Sequence, residues 1–229
     1  MAIAYQTGGA QGEANSTTRT VSINTTGGTG IIIFATVQCR NATDLVTGVT
    51  WNTTENFTKL GSAMYLVGNV EFYSFWYLAN ATAGNFNVVA TLSSSVVTSM
   101  HVASYTGAAT TQVDIATNLV TQAQTTSTDL TITASSTVNN SWFIISGFTE
   151  SSTGLQTLES DGGTTSTLRQ RSTALQHGYV DSNASQPIGS YAMHILMGSA
   201  GSNPKLAGFM TAIEASDTSV IFIPQVIII

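Results

Sequence analysis

The sequence predicts an all-β protein, an antiparallel two-sheet β-sandwich of jelly-roll type. Three observations carry that prediction. No segment of helical length places apolar residues at i, i+3 and i+4. Short stretches rich in Val, Ile, Thr and aromatic residues recur instead along the whole chain. Most of these stretches close on Gly, Asn, Ser or Asp, residues that turn a chain at little steric cost.

Taken in order, strands are expected near 2–7 and 19–24, with a Gly-, Ser- and Thr-rich stretch between them. Gly27-Gly28-Thr29-Gly30 is a turn, and it leads into the apolar run Ile31–Val37 at the centre of a strand over 30–39. Strands follow at 46–52 and 57–67, then at 70–79. In this last strand, period two sets Phe72, Ser74, Trp76 and Leu78 on one face and Glu71, Tyr73, Phe75 and Tyr77 on the other. Aromatics on both faces mark a central strand covered on both sides. The alternative is a sugar-stacking platform made by Tyr73, Phe75 and Tyr77. Asn80–Gly84 turns the chain into strands at 85–92 and 96–105. Residues 106–128 form the longest polar stretch, read as a long loop or a weak edge strand. Further strands are expected at 129–133, 141–149, 167–172, 175–180, 190–198, 206–214 and 219–228, with Asp161-Gly162-Gly163 as a turn. With three prolines and no linker, one domain is expected: an arm or edge strand over 1–18, the sandwich over 19–215, and an apolar strand over 216–229 for docking or sheet completion.

Composition narrows the function. Charged residues are 8% of the chain, against about 25% in ordinary soluble domains. Thr and Ser number 37 and 26, so hydroxyls and amides take the place of ions on the surface. Six Lys and Arg against twelve Asp and Glu argue against nucleic acid as a partner, because tracking phosphates needs clustered cations. Met1–Thr7 has neither the charged nor the apolar region of a secretory leader, which fits release by lysis. No apolar run approaches the roughly 18–20 residues of a membrane span, so no membrane association is expected.

Catalytic parts are missing from the pattern. There is no G-x-S-x-G elbow, no G-x-G-x-x-G and no P-loop. His101, His177 and His194 lack metal-binding spacing and fall inside expected strands, where a lone His is usually structural. The close acidic pairs are Glu159/Asp161 and Glu214/Asp217. The first of these, and Asp181 with Asn183, offer hard oxygens to Ca²⁺, but solvated turns are the better reading of both. Cys39, the single cysteine, reads as a packed thiol. No enzyme activity, cofactor or metal is expected. N-x-[S/T] occurs at eight of the fourteen Asn (15, 24, 41, 52, 56, 80, 139 and 183), where chance gives about four. Glycosylation would explain the excess, but without a leader Asn-Thr turn usage explains it better.

The C-terminal segment is the most apolar part of the chain. Val220, Ile221, Phe222, Ile223, Val226, Ile227, Ile228 and Ile229 surround Pro224 and Gln225, and such an end must be covered to avoid edge pairing. It is expected either to complete its own sheet or to dock on a neighbour by strand addition.

Certain motifs resemble a known family. Gly48-Val49-Thr50-Trp51-Asn52-Thr53-Thr54, Trp76-Tyr77-Leu78-Ala79-Asn80, Asn87–Leu92 and Ala103-Ser104-Tyr105-Thr106-Gly107 are similar to a jelly-roll surface domain of tailed-phage structural proteins and bacterial surface proteins. Thr167-Leu168-Arg169, Val180-Asp181-Ser182-Asn183 and Gly189-Ser190-Tyr191 extend the likeness, which spans residues 20–215. Thr53 stands where that pattern has Gly, and Ala81 where it has Pro. The resemblance implies an architecture without catalytic residues. Together these features lead to the expectation of a non-enzymatic structural protein of a phage virion exterior, a capsid decoration protein or a tail or fibre component. It would sit on the virion surface, or otherwise be extracellular. Its partners would be itself, as a homo-oligomer such as a trimer, and a capsid or tail protein. The rivals are a carbohydrate-binding or adhesin module that meets host-surface glycan, using the three aromatics or Asp181 and Asn183, and a secreted filament subunit held by strand addition.

Overall fold

A computed structural model describes residues 1–67, 69–117, 120–125, 129–150, 158–159, 167–172, 177–197 and 205–216. The first half runs β1 (Ala4–Asn24), β2 (Ile32–Cys39), β3 (Val46–Trp51), β4 (Glu55–Asn56), β5 (Thr58–Val67), β6 (Asn69–Ala79) and β7 (Asn85–Thr106). One helical turn, α1 (Asp114–Thr117), precedes β8 (Val120–Thr125), β9 (Asp129–Ser136), β10 (Trp142–Glu150), β11 (Leu158–Glu159) and β12 (Thr167–Ser172). The remaining strands are β13 (His177–Asp181), β14 (Gly189–Met197) and β15 (Lys205–Ile213).

The protein is all-β and antiparallel, with three sheets among the described residues where the sequence predicted two. β1 to β7 form one seven-stranded sheet, ordered β4-β3-β7-β2-β6-β5 with β1 also on β7. A five-stranded sheet has the order β12-β13-β10-β15-β8, and a three-stranded one β11-β14-β9. The polar stretch 106–128 resolves in part into α1 and the edge strand β8.

Strand parity explains how three sheets stack. In β2, Ile32 and Phe34 enter a core shared with Tyr73, Phe75 and Tyr105 on one side and Trp142, Ile144, Tyr179 and Phe209 on the other. That core joins the seven-stranded sheet to the five-stranded one. Ile33, Ala35, Val37 and Cys39 of β2 point the other way, toward Val49, Trp51, Trp76, Val88 and Ala90. All of these belong to the seven-stranded sheet, so the sheet curls over its own face. A third core sets Phe143, Ile145, Val180 and Met210 against Ile132, Ala134 and Met193 of the three-stranded sheet. β2, β6, β10 and β15 are therefore buried on both faces, which is why they read as continuous apolar runs.

The curl is built into β1 and β7, which pair along almost their whole length. Ser16 faces Val96 and Thr18 faces Thr91, so Leu92–Ser95 stand against the single residue Thr17 and leave the β1 ladder there. The expected arm over 1–18 is thus continuous with 19–24 in β1, and the boundary at residue 18 falls inside a strand. β1 doubles back closely enough that a Cβ on Gly9 would lie 2.7 Å from Val21 Cγ1.

Candidate functional site

Tyr73 and Phe75 lie inside the core between the two larger sheets, 1% and 0% exposed. Phe75 stacks on Phe34 at 5.6 Å and on Phe209 at 5.4 Å between centroids. These two rings are core, and their reading as a surface platform with Tyr77 is corrected. Tyr77 is half-buried and packs against the same core. The apolar residues Val220–Ile229, read as an assembly contact, lie outside the described residues, as does Asp161.

The carboxylates and cations singled out by the sequence cross-strap the fold. Asp181, fully buried on β13, accepts from Arg169 Nε of β12 at 2.7 Å. Asn183 Oδ1 accepts from the same guanidinium, so a guanidinium occupies the place offered to Ca²⁺. Arg169 also lies 5.1 Å over the Tyr5 ring of β1, which ties the two larger sheets together. Burial pushes the Asp181 pKa up despite Arg169. Burial, with Asp181 nearby, raises the Tyr105 phenol well above its usual value.

Other charged groups work in the same way. Burial alone would raise Asp114, but hydrogen bonds from Thr137 and Ser136 outweigh it and hold its carboxyl below the usual range. Glu214 Oε1 accepts from the backbone N–H groups of Val113 and Asp114 at 2.5 Å each. Arg40 bridges Glu13 at 2.8 Å and Glu71 at 3.1 Å, and Tyr73 Oη donates to Glu71 at 2.8 Å. Arg19 donates to the carbonyls of Thr98 and Gly12, and Lys59 reaches Asp44 at 2.6 Å. Arg40, Arg19 and Lys59, like Arg169, are thereby committed to holding one segment against another.

The histidine and cysteine expectations can be located in part. His101 is buried in β7, where burial pushes its pKa down to about 3 and keeps the imidazole neutral. His194 on β14 hydrogen-bonds Thr131 of β9 across a strand pair, 3.1 Å from Nδ1 to Oγ1. The side chain of His177 lies outside the described residues. Cys39 is buried, and its burial raises the thiol to about 11, a poor nucleophile at neutral pH.

The N-x-[S/T] excess has a structural cause at two sites. Asn24 Oδ1 accepts from both the backbone N–H and the hydroxyl of Thr26. Asn41 Oδ1 accepts the same two bonds from Thr43. An Asx turn closed by a Thr hydroxyl two residues on needs Asn-x-Thr as its sequence.

Surface clefts among the described residues offer places for a ligand. Besides one of 490 Å³ lined by Asn15, Arg40, Asn41, Ala42, Ser95, Val96 and Val97, two have a mainly polar lining. One, of 780 Å³, opens where Ala109, Thr137–Asn140, Ser185 and Glu214–Ser216 meet. The other, of 360 Å³, runs between the β3–β4 turn and the start of β7, lined by Ser22, Asn52, Thr53, Asn85, Phe86 and Asn87. The sequence pattern marked the turn through Thr53 but did not show that Ser22, Asn85 and Asn87 meet it. No protein-family model matches the chain, and no curated protein matches it.

Proposed function

We propose that this chain is a non-enzymatic structural protein of a phage virion exterior, a capsid decoration protein or a tail or fibre component, on a jelly-roll-type sandwich. The observation that carries the reading is the use of charge. Arg169–Asp181, Arg40–Glu13/Glu71 and Lys59–Asp44 each tie strands or loops together, and the outward faces of β1 and β7 are set with Thr18, Thr20, Ser22, Asn24, Asn85, Asn87 and Thr91. Such a surface suits a particle component that must persist outside a cell. The motif resemblance points the same way. Assembly falls to Val220–Ile229: burying eight large apolar side chains at ~1.5–3 kcal/mol each gives a gross term above about 10 kcal/mol. The partner is a second copy or a capsid or tail protein.

Deleting residues 217–229 tests this reading. The truncated chain should keep its melting temperature and circular dichroism, and should disappear from purified particles while the full chain co-sediments with them. A truncated chain that still incorporates, or a full chain absent from particles by mass spectrometry, overturns it.

A further inference from the structure

We propose that the cleft between the Asn52-Thr53 turn and Asn85–Asn87 binds one unit of a neutral saccharide. Three separate observations converge there. First, its lining carries amides and hydroxyls from three segments (Ser22 of β1, Asn52 and Thr53 of the turn, Asn85 and Asn87 of β7) and no charged residue. An amide offers a donor and an acceptor side by side, which is what a pair of neighbouring sugar hydroxyls needs, while an ionic ligand finds no counter-charge. At 360 Å³ the cleft is sized for a single ring rather than a large ligand.

Second, the groups are held in place. Ser22 Oγ donates to Asn87 Oδ1, which leaves the Asn87 amide N–H groups for a ligand. Asn52 N–H donates to the Asn87 carbonyl at 3.3 Å, locking the turn against β7. Phe86 packs edge-on against Trp51 at 5.3 Å, so the backbone carrying Asn85 and Asn87 is anchored in the core beneath. Phe86 also lines the cleft and supplies its apolar side chain beside the amides.

Third, the turn is strained at the site. Asn52 and Thr53 both have positive φ, 48° and 61°, the geometry of a two-residue turn that favours Asn-Gly. A β-branched residue in the second place costs stability, and such strain concentrates where a side chain is needed for binding. Here it puts a hydroxyl on the cleft wall where a glycine would leave none.

The test is titration of the full chain with neutral hexose and N-acetylhexosamine oligosaccharides, followed by backbone amide NMR shifts. At least one should bind at about millimolar strength and shift the amides of Asn52, Thr53, Asn85 and Asn87. Asn85→Ala and Asn87→Ala should each weaken it about tenfold, and Thr53→Gly should weaken it while raising the melting temperature. Ser135→Ala, on the outward face of β9, should change nothing. Failure of every neutral saccharide to bind, or binding that survives Asn85→Ala and Asn87→Ala together, overturns the proposal. This reading does not depend on a place in a particle, and neither result bears on the truncation experiment.

Discussion

Buried His101 makes this fold sensitive to acid. His101 is 1% exposed, faces Ala10 and Thr36 across its two ladders, and has its pKa lowered to about 3 by burial. In the unfolded chain the same group titrates near 6.5. The folded state therefore binds fewer protons between these values, so stability is complete above pH 6.5 and falls as pH drops toward 3. The slope approaches about 1.4 kcal/mol per pH unit, or roughly 2–3 kcal/mol lost between pH 6.5 and 4.5, before most carboxylates protonate. Urea melts at pH 7, 5.5 and 4.5 should show that loss, and His101→Gln should flatten it whatever its own cost at pH 7. An equal slope in the variant would assign the acid sensitivity elsewhere. Buried Asp181 does not add to the loss. Its raised pKa means that it binds protons more readily when folded, so its contribution opposes that of His101 in acid.

At the scale of elements, the strands were legible and their joins were not. Runs such as Ile32–Cys39 and Trp142–Glu150 are apolar enough to have one reading. Gly8, Gly9 and Gly12 read as breaks, yet β1 passes through them, because pairing with the 22-residue β7 outweighs local propensity, while Ser93–Ser95 lie within β7 but outside its ladder with β1. The Gly27–Gly30 turn was legible as a turn, but its contact with the chain leaving β7 was not. Gly107 N–H donates to the Thr29 carbonyl at 2.8 Å, and Ala108 N–H to Gly30 at 2.9 Å. A Cβ on Gly30, at φ +62°, would meet the Ala108 carbonyl at 2.1 Å, whereas one on Gly27, at φ +93°, would meet nothing. Gly27→Ala should therefore cost only its backbone strain, about 1–2 kcal/mol, and Gly30→Ala about 3 kcal/mol or more. Denaturant midpoints of the two variants side by side check this, and equal losses would mean that the crossing relaxes freely. The candidate cleft was legible only as a turn with an unexpected Thr. Its other walls come from strands distant in sequence, and only the fold brings Ser22 to Asn87.

At the scale of the molecule, the two halves of the chain should unfold together, because they share one core. Residues 1–106 bury the curled sheet's inner face by themselves, but Phe34, Phe75 and Tyr105 on the opposite face share their core with Trp142, Ile144, Tyr179 and Phe209 of the five-stranded sheet. That sheet in turn presents Tyr179 and Phe209, and the contact is dense: Phe75 lies 5.4 Å from Phe209 and 6.4 Å from Tyr179. Thr36 of β2 adds hydrogen bonds of 2.7 Å to Ser146 Oγ of β10 and Tyr179 Oη of β13, each crossing the same interface. A period-two pattern shows that a strand has two apolar faces. It does not show which sheet covers each face, which is why one sandwich was expected where three cores are stacked. Phe75→Ala in one half or Phe209→Ala in the other should cost about 3–5 kcal/mol, since either leaves a cavity in the shared core. Both should lower one calorimetric transition without splitting it, and the calorimetric and van't Hoff enthalpies should agree. The fluorescence of Trp51 and Trp76, in the first half, should change at the same temperature as that of Trp142 in the second, read from single-tryptophan variants. Two transitions in Phe209→Ala, with Trp51 and Trp76 melting later than Trp142, would show that the curled sheet stands without its neighbour and that the central core joins two domains rather than completing one.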